Sequence, residues 1–172
     1  MKLKLFGIAT ALAFAASAPV ALAQHKMIMP QDLKWADTPS LPPGAQAAVL
    51  EGPMNEAVPF TVRLKFPANY KVPPHWHPAI EHVTVLSGAF HMGLGEKFDP
   101  KALHKLGVGA MMIMEPKTPH FAMTKEPTII QIHGMGPWAV NYVNPDDDPR
   151  KKADAKKAEP KKDEPKKDEK KK

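Results

Sequence analysis

Short apolar runs, separated by proline and glycine, make up the chain from about residue 46 onward. In the run FTVRLKF, apolar residues alternate with Thr61, Arg63 and Lys65, which is the period of a half-buried β-strand. Similar runs continue as far as WAVNYV, and none of them holds the period of an α-helix. Many short strands with turn signals between them predict an all-β domain, an antiparallel sandwich or barrel, over residues 46–149. The same pattern disfavours a doubly wound α/β sheet.

The amino-terminal residues 1–23 have the pattern of a secretory signal peptide. Two lysines come first, a short apolar run follows, and the triplet Ala-Leu-Ala ends at residue 23. The alternative is a membrane anchor, but the apolar run is shorter than the roughly 20 residues that span a bilayer. We therefore expect cleavage after Ala23 and export, with the periplasm as the predicted location.

The predicted barrel has a boundary at each end. Residues 24–45 are rich in proline and polar side chains, and they form an amino-terminal arm that either wraps the barrel or reaches a partner subunit. The cluster NPDDDP at residues 144–149 ends the domain, because proline and aspartate are disfavoured in strands and favoured in turns.

The last segment, residues 150–172, repeats pairs of lysine and has almost no apolar residues. It carries twelve basic and six acidic side chains, so its net charge of +6 equals that of the whole chain. Such a composition cannot offset the entropy of ordering, which predicts a disordered tail. The tail is either a solubilising spacer or a tether to an anionic surface. Nucleic acid is not the expected partner, because the chain is predicted to be exported and no aromatic residues interleave the charges.

The stretch PPHWHPAIEHVTVLSG, residues 73–88, places three histidines and one carboxylate in an apolar run. On a single extended strand, the side chains of His75, His77 and Glu81 would all point to one face. Burying them unpaired would cost several kcal/mol, which a bound divalent cation would remove by giving each lone pair a partner. A metal-free polar cluster is the alternative. Because the chain contains no cysteine, a metal site must use imidazole and carboxylate ligands.

The spacing H-x-H-x3-E-x6-G in this stretch resembles the first motif of the cupin superfamily. It runs through His75, His77, Glu81 and Gly88. The family motif begins with a glycine where this chain has Asn69, a residue that tolerates the left-handed backbone conformation better than most.

A second stretch keeps the spacing of the other cupin motif, G-x5-P-x-G-x2-H-x3-N. Its glycine and its histidine are the two identical positions, and the corresponding residues are Gly109, Glu115, Lys117, His120 and Thr124. The carboxyl-terminal runs HGMGPW and YVNPDDDP are similar to those of small exported single-domain cupins, a group without a settled activity.

The resemblance implies a cupin jelly-roll barrel with one divalent transition metal, either Fe, Mn, Zn, Ni or Cu. It makes His120 the fourth ligand, beside His75, His77 and Glu81. Three imidazoles and one carboxylate would leave a divalent ion with a net charge of about +1. If the ion is six-coordinate, two positions remain open for water, substrate or dioxygen. The resemblance also implies a homodimer, since cupins commonly pair through their barrels.

Two classes of function stay open. One is a metal-dependent oxidoreductase of the dioxygenase type, which acts on a small oxygen-bearing molecule. The other is a non-catalytic module that binds or senses a small ligand. A catalytic role predicts a further acid or base near the metal, for which His91, Gln131 and His133 are the candidates. If all three face outward, the binding role is favoured. His82 is expected on the opposite face from Glu81, and His104 in an exposed loop.

Overall fold

Two antiparallel β-sheets face each other in the computed structural model, which describes residues 25–151. The predicted signal peptide and all but the first two residues of the predicted Lys-rich tail lie outside the described residues. The strands are β1 Ala36–Asp37, β2 Gln46–Glu51, β3 Pro59–Phe66, β4 Lys71–Trp76, β5 Glu81–Ser87, β6 Phe90–Leu94, β7 His104–Leu106, β8 Met111–Met114, β9 His120–Thr124, β10 Thr128–Met135 and β11 Asn141–Tyr142. Three short 3-10 turns accompany them, at Pro30–Asp32, Pro100–Ala102 and Pro145–Asp147.

One sheet has the strand order β1-β2-β3-β10-β5-β8, and the other has the order β11-β4-β9-β6-β7. This arrangement is a jelly-roll barrel, which confirms the predicted all-β fold. None of the described helices is long and apolar enough to cross a membrane.

The hydrophobic core lies between the two sheets and follows the alternation in the sequence. Along β3, the side chains of Phe60, Val62, Leu64 and Phe66 are buried, and the residues between them are more exposed. The ring of Phe66 stacks on Phe90 of the opposite sheet, with 5.7 Å between the centroids. These four side chains of β3 therefore form one wall of the barrel interior, as the period of two predicts.

The described part of the amino-terminal arm packs on the barrel. Strand β1 pairs with β2 at the edge of the larger sheet. Leu41 and Ala45 are buried in the core, and the carbonyl of Ser40 accepts a hydrogen bond from the hydroxyl of Tyr142 at 2.9 Å. The carbonyl of Pro42 accepts another from the hydroxyl of Tyr70.

Two non-glycine residues adopt the left-handed conformation at motif positions that the cupin pattern gives to glycine. Asn69 has a φ of 58° and Lys117 a φ of 60°. Left-handed backbone is unfavourable for most L-residues, so glycine is the usual choice at such a turn. The two turns keep their shape in this chain without glycine.

The run WAVNYV forms much less strand than the sequence predicts. Only Asn141 and Tyr142 pair, with Trp76 and His75 of β4. The preceding Trp138 lies in a loop after β10, where its backbone N–H donates to the carbonyl of Met54 instead of to a neighbouring strand.

Candidate metal centre

Three strands and one turn bring the four predicted ligands together. His75 is in β4, His77 follows the end of that strand, Glu81 begins β5 and His120 begins β9. The expectation that His75, His77 and Glu81 share one face of a single strand is therefore wrong. The chain leaves the extended conformation between residues 77 and 80, and the turn brings Glu81 back toward the histidines.

The prolines before His75 also interrupt the regular strand. The pairing of β4 with β9 shifts register between Val72 and His75, across Pro73 and Pro74. Proline has no N–H to donate to a ladder, so an irregularity at this place is expected. Beyond it, His75 lies directly opposite His120 of β9.

The three imidazoles lie around one point inside the barrel. The ring centroids of His75 and His120 are 4.2 Å apart, and each is 5.0 Å from that of His77. One ring nitrogen of each histidine lies within 4.8 Å of the other two. Oε1 of Glu81 is 3.4 Å from Nε2 of His77, and Oε2 is 3.7 Å from Nε2 of His120. All four side chains are buried.

Backbone carbonyls orient each imidazole. Nδ1 of His75 lies 2.7 Å from the carbonyl oxygen of Pro73, and Nδ1 of His120 lies 2.9 Å from that of Thr118. For His77 the acceptor is the carbonyl of Ala139, at 2.8 Å. A carbonyl oxygen can only accept, so each Nδ1 donates and each neutral ring keeps its lone pair on Nε2. Metal-binding histidines have this arrangement, in which the second ring nitrogen is held by an acceptor.

Burial keeps the histidines neutral. Desolvation holds the pKa of His75 well below its usual range and lowers the pKa of His77 to about 3, and His120 repels both. The pKa of His120 is also lowered by burial. Neutral imidazole is the form that binds metals.

The same burial raises the pKa of Glu81 to about 8. Its contacts with His77 and His120 are therefore not ion pairs in the absence of a cation, because both partners are held neutral. Nε2 of His77 is buried and has no hydrogen-bond partner among the described residues. An orphaned lone pair beside a desolvated carboxyl group is costly, and a divalent cation would satisfy both. The three histidines can thus hold a metal ion, and the donor set fits one.

The three candidates for an additional acid or base do not reach this cavity. His91 lies on β6 between the inward residues Phe90 and Met92, and it faces the outer side of its sheet. Gln131 accepts a hydrogen bond from Nε of Arg63 at 3.0 Å, on the outer face of the larger sheet. His133 is on that outer face as well.

His82 faces away from the metal ligands, as the sequence predicts. Its ring stacks on that of His133, with 4.8 Å between centroids and 9° between planes. His104 is exposed, as expected, but it begins strand β7 and does not lie in a loop.

Comparison with known proteins agrees with the fold and the motifs. The family model described as ChrR cupin-like domain matches residues 23–100. The structure is similar to an RmlC-like cupin from Shewanella frigidimarina, with a TM-score of 0.51, 15% identity, and coverage of 64% of this chain and 89% of that one. The protein is therefore a cupin by its fold, and the family model supports the same assignment for residues 23–100. No curated protein matches the sequence of this cupin.

Two other solved structures share the fold of this cupin. The polyketide cyclase RemF from Streptomyces resistomycificus has a TM-score of 0.59 and 18% identity, and the match covers 76% of this chain and 94% of that one. An acetylacetone dioxygenase from Acinetobacter johnsonii has a TM-score of 0.55 and 10% identity, covering 78% and 87%. At these identities the likeness is one of fold.

The cavity of this cupin is mainly apolar around the four predicted ligands. Aliphatic and aromatic side chains from both sheets line it, and its other polar residues are Thr38, Ser40 and Trp138. The indole ring of Trp138 stacks on His77 at 4.2 Å between centroids, and the next residue, Ala139, holds Nδ1 of His77. Sequence reasoning missed this contact because it assigned Trp138 to a strand, although Pro137 just before it signals a break.

Proposed function

We propose that this cupin holds one divalent transition-metal ion and, beside it, a small oxygen-bearing molecule inside the barrel. His75, His77, Glu81 and His120 would be the ligands. The observation that carries the proposal is the convergence of three neutral imidazoles, each with Nδ1 held by a backbone carbonyl, next to a buried carboxyl group. The Glu81 ligand, the ion and its identity stay predictions.

The ion would supply Lewis acidity or redox chemistry, and the protein would supply a dry, shaped surrounding. The apolar wall of the cavity would strengthen electrostatic interactions inside it. Among the described residues that line the cavity, only the four predicted ligands are acids or bases. This favours binding at the metal over a mechanism that needs a separate acid or base.

A dioxygenase-type oxidoreductase is the second candidate. Oxidation centred on a metal does not need an additional acid or base, and an apolar cavity limits side reactions with water. Small diketones are suitable first compounds for an oxygen-uptake screen, because the acetylacetone dioxygenase from Acinetobacter johnsonii shares the fold.

The first experiment is metal analysis by mass spectrometry on the mature protein purified without chelator. Near one equivalent of a transition metal is expected. The His77→Ala variant should lose it, and His104→Ala, which changes an exposed histidine, should retain it. Iron, manganese, nickel or copper would lead to the oxygen-uptake screen, whereas zinc would favour the binding role. A wild-type protein without metal after reconstitution with each ion would refute the proposal.

Export to the periplasm and a homodimer complete the proposal. Export is supported by the sequence of residues 1–23, and amino-terminal sequencing of the protein recovered from periplasm should begin at Gln24. For the homodimer, Met111 and Ile113 of β8 are about half exposed on the outer face of the larger sheet. Light scattering should report a dimer that Ile113→Glu weakens.

We also propose that the Lys-rich tail binds anionic vesicles. A chain truncated at residue 149 should not bind them.

A further inference from the structure

Trp138 is held firmly in the wall of the barrel. Its backbone N–H donates to the carbonyl of Met54 at 2.7 Å, and the N–H of Gly136 donates to the carbonyl of Val58 at 3.0 Å. The indole ring stacks on His77, with 20° between planes, and contacts Phe60 at 5.6 Å between centroids. The side chain is therefore fixed between the core and one of the predicted metal ligands.

The indole N–H of Trp138 is buried and has no acceptor among the described residues. Buried tryptophan usually finds a partner for this donor, and a buried donor left unpaired costs about 1–3 kcal/mol. Trp138 lines the same cavity as His75, His77 and His120. A donor kept unpaired beside a candidate metal centre is what a site for an oxygen acceptor requires.

We propose that Trp138 recognises the ligand of this cupin by donating its indole hydrogen bond to a ligand oxygen next to His77. This inference rests on the proposed function and names the class of molecule: a small compound with a carbonyl, enolate or carboxylate oxygen on an otherwise apolar body.

The rest of the cavity wall is the reason why the body of the ligand should be apolar. The hydroxyls of Thr38 and Ser40 lie 3.0 Å from each other, so they form one polar pair. The remaining lining side chains outside the metal ligands are aliphatic, aromatic or thioether groups, including Val83, Met92 and Ile132. Burying a second polar group of the ligand against this wall would leave that group unpaired, which disfavours sugars and other polyols.

A purely structural role for Trp138, as a support for His77, is the competing explanation. The two roles separate in the Trp138→Phe variant, because phenylalanine keeps an aromatic ring against His77 and removes only the donor. Trp35→Phe is the matched control. Trp35 lies in the amino-terminal arm, where Nζ of Lys65 is 4.6 Å from the centroid of its ring, and it does not line the cavity.

The test uses the full mature protein loaded with Zn²⁺, with metal content and ligand affinity measured on the same samples. The probes are butyrate and acetylacetone, titrated by calorimetry. We expect the same zinc content in the wild type and both variants. The affinity for the probes should be lower by about 10-fold or more in Trp138→Phe, because this variant loses a hydrogen bond to a charged or strongly polarised oxygen. Trp35→Phe should bind the probes as the wild type does.

The outcomes distinguish the two proposals. Absence of zinc in the wild type, with no uptake of iron, manganese, nickel or copper either, refutes the metal centre itself. Stoichiometric zinc with no binding of either probe, or with the same affinity in wild type and Trp138→Phe, overturns the role of Trp138 and leaves the metal centre in place. Loss of zinc in Trp138→Phe assigns the residue to support of His77 and likewise overturns the proposal.

Discussion

Replacing Glu81 by glutamine should stabilise the metal-free protein at alkaline pH while removing a predicted metal ligand. Burial raises the pKa of the Glu81 carboxyl from 4.5 to about 8. Between these values the folded state keeps a proton that the unfolded state has released, so folding becomes less favourable as the pH rises. Each pH unit costs about 1.4 kcal/mol, and the whole interval removes about 5 kcal/mol from the free energy of unfolding.

Glutamine is close to the size of protonated glutamate and does not ionise, so Glu81→Gln lacks this loss. His75, His77 and His120 face the carboxyl group, and their pKa values are lowered, so they weaken the fold as the pH falls below about 6.5. Their contribution is common to both proteins and cancels in the difference.

The assay is urea unfolding of the chelator-treated proteins at several pH values from 5 to 9. The difference in free energy of unfolding between variant and wild type should grow with pH up to about 8 and then level off, because above that value both states of the wild type are ionised. Glu96→Gln, at an exposed position, should show no such trend. A difference that stays constant over this range would refute the reasoning, because it would mean that Glu81 is not desolvated in the metal-free fold. In the presence of metal, the order of stability should reverse.

Three further substitutions test the fold around the site. Gly88→Ala should destabilise the protein by about 1–3 kcal/mol in thermal unfolding. Gly88 has a φ of 71°, and a Cβ added to it would lie 2.4 Å from the carbonyl oxygen of Pro127. The control Gly107→Ala should be near neutral, because a Cβ at that position would have nothing within 4 Å. Thr124→Val should cost about 1–3 kcal/mol, since the buried hydroxyl donates to the carbonyl of Pro67 at 2.7 Å; an effect below 0.5 kcal/mol would contradict that. Phe121→Ala should cost about 3–5 kcal/mol in urea unfolding, because the ring is fully buried, and a smaller loss would mean that the site collapses.

Strand positions could be read from the sequence where one face of the strand is buried. The alternation in β3 predicts its buried face residue by residue, because a period of two follows from the backbone itself. The prediction was wrong where proline intervenes: Pro78 lies in the turn that separates Glu81 from the histidines, and Pro137 precedes a loop where a strand was expected.

The four predicted ligands illustrate both the reach and the limit of sequence reasoning. Motif spacing brought His120 into the set although it is more than forty residues from His75, and the structure places the two opposite each other. The reason given for His75, His77 and Glu81, a common strand face, was wrong, since a turn separates Glu81 from the histidines. The outward orientation of His91, Gln131 and His133 was left open by the sequence.

The sequence by itself determined the residue types available for chemistry, the all-β pattern, and a metal site limited to imidazole and carboxylate. These properties are local, because they depend on composition, on spacing along the chain and on the backbone period. Only the tertiary structure decided which carbonyls hold each Nδ1, that Trp138 covers His77, and that the cavity has no acid or base beyond the predicted ligands among its described lining. Those contacts join residues far apart in the chain, and they arise from strand register and sheet packing, which short stretches of sequence do not specify.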